Sequence, residues 1–355
     1  MISGNKGEWS EFYTFLKLLC DTKLYAADEN LEKLENLYFD ILKITRTDNG
    51  EPYDYQPNLD NEKIQIWFNN ELKAEFEKSE FKEYAEFLLE FIKQMTTRTS
   101  SCYEIEQFMK KLFCTKIKAS SNDKSDITMQ LHDPQTGYNP ICGFSIKSYI
   151  GGKPTLFNAS QSTNFTFEIL NFDTEHIDKI NSIDIKKKIK GKLLELENYK
   201  FKFHSVKNEI LEDNLILIDS EMPKILAYSL KYYYMGLASS CKEICDILEN
   251  ENPLNIRKPK VFYKYKFKKF LCAVALGMKP TSSWDGIDKA NGGYIAVFEN
   301  GEILAYHIYN RNFFEEYLLK NTKFETPSSS RHKYGYLYEK DNKVFLDLNL
   351  QIRFK

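Results

Sequence analysis

Residues 293–309, GYIAVFENGEILAYHIY, are two β-rich runs joined by Asn300-Gly301. An Asn-Gly pair between such runs is a strong hairpin signal, because a two-residue turn needs positive φ at both positions. The chain therefore holds antiparallel sheet, which excludes an all-helical fold. Residues 7–20, GEWSEFYTFLKLLC, put Trp9, Phe12, Phe15, Leu16 and Leu19 at helical spacing, which excludes an all-β one. The same mixture recurs along the chain. Strand-like runs lie near 37–45 and 63–68, separated by the turn-rich TDNGEPYDYQPN, and residues 70–97 and 102–113 read as helices. SSNDKS is a loop; DITMQLHD and ICGFSIKS are strands around the turn DPQTGYNP; TNFTFEIL at 163–170 is a strand. A lysine-rich helix is expected within 174–198, another helix around AYSLKYYYMGLA, and a final hairpin in YGYLYEKDNKVFLDLNLQIRF.

These patterns predict a mixed α+β chain of the α/β class, with a central mixed sheet flanked by helices. Its 355 residues suffice for one large domain or two ordinary ones. The reading places an N-terminal helical and core region at 1–206 and a basic α+β region at 207–355. No run approaches the ~20 apolar residues of a membrane helix. The polar start, Met1 to Trp9, carries no apolar signal core. Seven cysteines, an odd number without framework spacing, indicate free thiols and a reducing cytoplasm.

The net charge of −2 hides an asymmetry. Residues 257–355 hold 18 Lys and Arg against 10 Asp and Glu, whereas residues 1–256 hold 31 against 41. Such a split points to a polyanionic partner engaged by one part of the chain. Only six arginines exist, and four of them, Arg257, Arg311, Arg331 and Arg353, fall in the basic part. Arginine reads guanine through a bidentate contact, while lysine suits phosphates.

Common catalytic motifs are absent. There is no phosphate-binding Gly-rich loop, no H-E-x-x-H and no G-x-S-x-G; CKEIC at 241–245 has no second cysteine pair to complete a zinc site. What remains is the hairpin 126–148, with Asp126 opening one strand and Lys147 near the end of the next. A register pairing 132 with 142 puts 126 opposite 148 and makes Asp126 and Lys147 neighbours, while Asp133 falls in the turn. An acid beside a lysine at one end of two strands is the layout of the metal-dependent nuclease core PD-(D/E)xK. There the acid holds Mg²⁺ and the lysine handles the attacking water.

Four stretches, GNKGEWSEFYTFLKLL at 4–19, KLYAADENL at 23–31, GFSIKSYIGGKPTLFNASQSTNF at 143–165 and LNLQIRF at 348–354, together resemble the HpaII family of type II restriction endonucleases. The similarity runs over nearly the whole chain. It implies a restriction-endonuclease-like core and Mg²⁺-dependent cleavage of double-stranded DNA that leaves 5′-phosphate ends. It also implies a CCGG target if the family specificity is kept, and a DNA methyltransferase in the same system. A palindromic target favours a two-fold dimer.

The sequence departs from the wider nuclease pattern at one point. Ser145 stands two before Lys147, where an acid is expected, and serine is a poor ligand for a hard cation. Ser145 is read as a partner of phosphate or water. Either one carboxylate suffices, with water and phosphate completing the shell, or a second acid lies at Glu168, Glu106, Glu8 or Glu11, with Gln130 a lesser candidate on the face of Asp126. Residues 257–270, RKPKVFYKYKFKKF, carry seven basic residues and no acid, in either a strand or a helix. Arg257, Lys258, Lys264 and Lys266 there, Arg331 and His332 in SSSRHKYG, and Asn158 and Ser160 in the long matching stretch are the expected DNA contacts. A DNA-binding protein with a dead core, in which Ser145 marks lost catalysis, is the alternative.

Overall fold

The computed structural model describes residues 1–58, 60–118, 125–183, 188–307 and 311–355. In chain order it begins with α1 (Lys6–Asp21), β1 (Lys23–Ala27), β2 (Lys33–Asp48), β3 (Glu51–Asn58), β4 (Lys63–Phe68), β5 (Glu71–Glu77), α2 (Lys78–Gln94) and α3 (Tyr103–Lys111). The hairpin β6 (Ile127–His132) and β7 (Ile141–Ser148) follows. Then come β8 (Asn164–Leu170), β9 (Lys200–Val206), α4 (Glu209–Ile218), α5 (Met222–Tyr234), α6 (Cys241–Glu251) and α7 (Pro259–Ala275). The chain ends through β10 (Gly293–Val297), β11 (Ile303–His307), α8 (Arg311–Asn321), α9 (Ser329–His332), β12 (Leu337–Lys340) and β13 (Lys343–Asn349), with short pieces between.

Contacts group these elements into two units that interleave in sequence. One unit is Met1–Pro154 with Asp288–Phe314; the other is Thr155–Ile287 with Glu315–Lys355. Sequence reading places one boundary, after 206. The mixed α+β class is as expected.

The first unit is built on a nine-stranded mixed sheet in the order β1-β11-β10-β7-β6-β2-β3-β4-β5. β10 runs parallel to β7 and β11 parallel to β1, while the other neighbours are antiparallel. The long β2 also pairs with β1, Lys23 opposite Asp40, so six strands close into a ring and β3-β4-β5 extend from it. α1 packs against this sheet. Its Trp9, Phe12, Tyr13, Phe15, Leu16 and Leu19 are buried together with Ile44, Ile64, Phe81, Leu88, Phe108 and Phe144. An Asn5–Glu8 capping box starts α1 and a left-handed Thr22 ends it.

Tertiary pairing corrects several expectations. TDNGEPYDYQPN is not all turn: Thr47 and Asp48 end β2, Asn49 and Gly50, at φ 51° and 88°, make the turn, and Glu51–Asn58 are β3. Residues 70–97 are not all helix, since Asn69 and Asn70, at φ 50° and 62°, turn the chain so that β5 pairs with β4 before α2 begins. Helix-forming Glu, Leu, Lys and Ala at 71–74 lose there to the sheet edge. The loop read at 120–125 lies almost wholly outside the described residues. The hairpin expected at 293–309 is present over 293–307, but its turn is not the expected two-residue one. The Phe298 N–H bonds the Glu302 carbonyl and the Gly301 N–H the Phe298 carbonyl, so Glu299, Asn300 and Gly301 form a three-residue loop with positive φ at Gly301 only.

The second unit holds a four-stranded antiparallel sheet, β9-β8-β13-β12, and most of α4–α9. The helix expected over 174–198 is broken into Thr174–His176, Ile177–Asn181 and Lys188–Glu195. Residues 259–275 are helix, not strand, with Pro259 at its start and Tyr263, Phe267, Phe270 and Leu271 buried. All seven cysteines are free, and Cys241 and Cys245 are buried. Among the described residues no helix is long and apolar enough to cross a membrane.

Candidate active site

β7 is an interior strand, bonded to β6 on one side and β10 on the other. Its register with β6 differs from the expected one by three positions. Ile127 pairs with Phe144 and Gln130 with Ile141. The turn is shorter because the Asp133 carboxylate folds it, accepting from Gln135 N at 2.9 Å and Thr136 Oγ1 at 2.7 Å, while Asp133 N–H bonds the Tyr138 carbonyl. Asp126, just before β6, therefore faces Ser145, and its N–H bonds the Phe144 carbonyl. Lys147, two residues beyond Ser145, shares the Ser145 face of the strand.

Asp126 is held by β7 itself. Its Oδ2 accepts the Ile146 N–H at 2.7 Å and the Ser145 hydroxyl at 3.3 Å. Ser145 thus occupies the place of the missing acid and orients the remaining one. Another carboxylate, that of Glu11, lies on α1. The hydroxyls of Ser10 and Ser148 hydrogen-bond at 2.8 Å, which ties the helix residue beside Glu11 to the strand residue beside Lys147. Burial and then repulsion from Asp126 push the Glu11 carboxyl up to about 7; Lys118 and Lys147 pull it the other way without prevailing. Asp126 and Lys147 thus both lie within electrostatic reach of Glu11.

Lys118 is the residue that sequence reasoning missed. Its Nζ lies 3.2 Å from Glu11 Oε1. Burial pulls its ammonium down, but Glu11, and behind it Asp126 and Glu8, outweigh this and hold it above the ordinary lysine value. The backbone before it is clamped. Buried Arg46 donates to the Ile117 carbonyl at 2.7 Å and to that of Lys116, and the Asp48 carboxylate accepts from Thr115. Nothing local in the sequence marks Lys118, because its anchors lie about 70 residues upstream.

The other acids are engaged elsewhere. Glu8 accepts the Asn5 N–H at 2.8 Å as a helix cap. Glu106 accepts the Ile2 N–H at 2.9 Å, which holds its carboxyl below the usual range, and pairs with Lys110. Glu168 lies in the second unit and pairs with Lys343 at 3.3 Å and Lys202 at 3.9 Å. Gln130 bonds the Asn139 carbonyl at 3.3 Å, toward the turn end of the hairpin. Among the described residues no group of three acids, histidines or cysteines stands ready for a metal. The hard oxygens of Asp126 and Glu11 nevertheless suit a divalent cation, which would relieve their mutual repulsion.

Of the expected DNA contacts, all in the second unit, several are paired within it. Lys264 lies 3.6 Å from Asp246, Lys266 is 2.7 Å from Asp219, and their neighbours Lys268 and Lys269 pair with Glu316 and Glu315 at 2.6 and 2.7 Å. Arg257 and Lys258, before α7, are exposed. Arg331 is exposed on α9, capped by Ser328; burial and Arg331 lower the pKa of the half-buried His332. The backbone there is clamped by Asn164, whose Nδ2 donates to the His332 carbonyl at 2.9 Å. Ser160 caps the short helix at 161–163, and its carbonyl accepts from Asn349; Asn158 is exposed.

No solved structure matches this chain. It is 44% identical to the type II restriction enzyme HpaII of Haemophilus parainfluenzae over 356 residues, covering 99% of this chain and 98% of that protein. The HpaII restriction endonuclease family matches it over residues 5–354. With that match spanning both units and the site between α1, β6 and β7, the chain belongs to the HpaII restriction endonuclease family.

Proposed function

We propose that the protein cuts double-stranded DNA at CCGG in the presence of Mg²⁺, with Asp126, Glu11 and Lys147 at the reaction centre. A restriction endonuclease acts on DNA, and type II enzymes generally need a divalent metal. The observation that carries the assignment to residues is geometric: the Ile146 N–H and the Ser145 hydroxyl hold the Asp126 carboxylate beside Lys147, and the Ser10–Ser148 hydrogen bond ties α1 next to Glu11 to the same strand.

Asp126 and Glu11 would hold Mg²⁺, which when bound neutralises charge developing on the phosphate and acidifies water. Ser145 and the Ile146 N–H keep the Asp126 carboxylate oriented. Lys147 hydrogen-bonds the attacking water and the scissile phosphate. The water oxygen attacks phosphorus in line, the bond to the 3′ oxygen breaks, and a 5′-phosphate and a 3′-hydroxyl remain. Positioning and charge neutralisation supply the rate.

Arg331 and Arg257 are proposed as guanine readers, with Lys258 on a phosphate and His332, Asn158 and Ser160 beside the duplex. A two-fold dimer on the palindrome, a cognate methyltransferase and a cytoplasmic location complete the proposal.

A plasmid digest with Mg²⁺ and then with EDTA tests it. Discrete fragments whose ends read CCGG, lost in EDTA, are expected. Fragments with another end sequence would overturn the target. Binding without cleavage would overturn the catalytic assignment and put Ser145 at the centre of a dead core.

A further inference from the structure

The proposed site contains a cation of its own. Lys118 is ion-paired to Glu11 at 3.2 Å, with Asp126 and Glu8 in its field, so it is the counter-charge of the same carboxylates that are proposed to take the divalent ion. Its position is built rather than incidental. Arg46 is buried, stacks over the Phe12 and Phe15 rings of α1 at 5.4 and 5.5 Å, and bonds the carbonyls of Lys116 and Ile117. Asp48 fixes Thr115 through its N–H and hydroxyl, and Ile117 is buried against the core. One side of this clamp is α1, the helix that carries Glu11, so Lys118 and Glu11 are positioned by the same packing. An ordinary surface lysine pair has neither feature.

We infer that Lys118 is a built-in competitor of the divalent cation: its ammonium holds Glu11, and the cation must displace it to complete the site. The inference rests on the proposed function of Glu11 and Asp126. A carboxylate satisfied by an ammonium gives up that pairing before both its oxygens serve a metal, and like charges repel across the small distance between them. Lys118 is thus a positioning residue that sets how much metal the enzyme needs. It also keeps two neighbouring acids compatible with folding.

The test is calorimetric titration of Mn²⁺ or Mg²⁺ into the full-length protein without DNA, repeated at several pH values for each variant. Lys118→Met and Lys118→Gln are expected to tighten metal binding roughly five- to tenfold, the scale of removing one partly exposed like charge. Lys118→Arg, which keeps the charge, is expected to bind as the wild type does. Thermal melts check that each variant is folded. Equal or weaker metal binding by folded Lys118→Met and Lys118→Gln would overturn the inference while leaving the site intact. An Asp126→Ala variant separates the two ideas: if it binds metal like the wild type, the site assignment itself is wrong.

Discussion

Asp126 is the one acid the hairpin supplies where the wider nuclease pattern has two, and its environment holds it in one orientation. One of its oxygens is committed to the β7 backbone and to Ser145, which fixes the other for a ligand. Asp126→Ala should abolish plasmid cleavage, and Lys147→Met should slow it roughly 10²–10³-fold, read as initial rates on supercoiled DNA. Glu11 makes a separate prediction, because its carboxyl titrates near 7 in the folded chain against an ordinary 4.5. Between those values the folded protein holds a proton that the unfolded chain has released. This contribution to stability is therefore full below about 4.5 and is lost as pH rises to about 7. Urea unfolding in EDTA should show wild-type stability falling across that window relative to Glu11→Gln, by up to roughly 3 kcal/mol. Parallel pH curves for the two proteins would contradict the buried, repelled state of Glu11.

At the level of elements, the turn between β10 and β11 shows how tightly the sheet and α1 are locked. Gly301 sits at φ 87°, its carbonyl accepts the Tyr13 hydroxyl at 2.6 Å, and a Cβ there would meet Leu89 Cδ2 at 2.7 Å and Tyr13 Oη at 2.8 Å. Gly301→Ala should cost about 1–3 kcal/mol in thermal unfolding, combining the φ penalty with overpacking. The presence of that hairpin was readable from Asn300-Gly301, though not its three-residue loop, and α1 was readable from its apolar spacing, because both are local signals. The hairpin of Asp126 and Lys147 was readable too, but its register was not: the Asp133 turn decides it, and a shift of three positions changes which residue faces Asp126. β5 was hidden because its sequence prefers helix and its partner strand is a tertiary fact. Lys118 was hidden for the same reason, its anchors Arg46 and Asp48 being remote in sequence.

At the scale of the whole molecule, the basic C-terminal part is less available to a polyanion than its composition suggests. Lys264, Lys266, Lys268 and Lys269 are committed to carboxylates of the same unit. Phosphate binding should therefore fall on exposed cations such as Lys258. Lys258→Gln should reduce the slope of log affinity against log salt by about one. Lys266→Gln should leave that slope unchanged and lower the melting temperature instead. If Arg331 reads guanine, Arg331→Ala should lose cognate affinity while near-cognate binding stays; a uniform loss would make it a phosphate contact.

The interleaved path of the chain has a consequence for synthesis. Glu11, Lys118, Asp126 and Lys147 all leave the ribosome early, yet β7 gains its second neighbour only when β10 arrives after residue 293. The intervening stretch, 155–287, belongs to the other unit and takes on the order of ten seconds to translate. A nascent or prematurely stopped chain thus carries all four residues on an unfinished sheet. A restriction endonuclease with this chain order completes that sheet only after more than four-fifths of its length has been made.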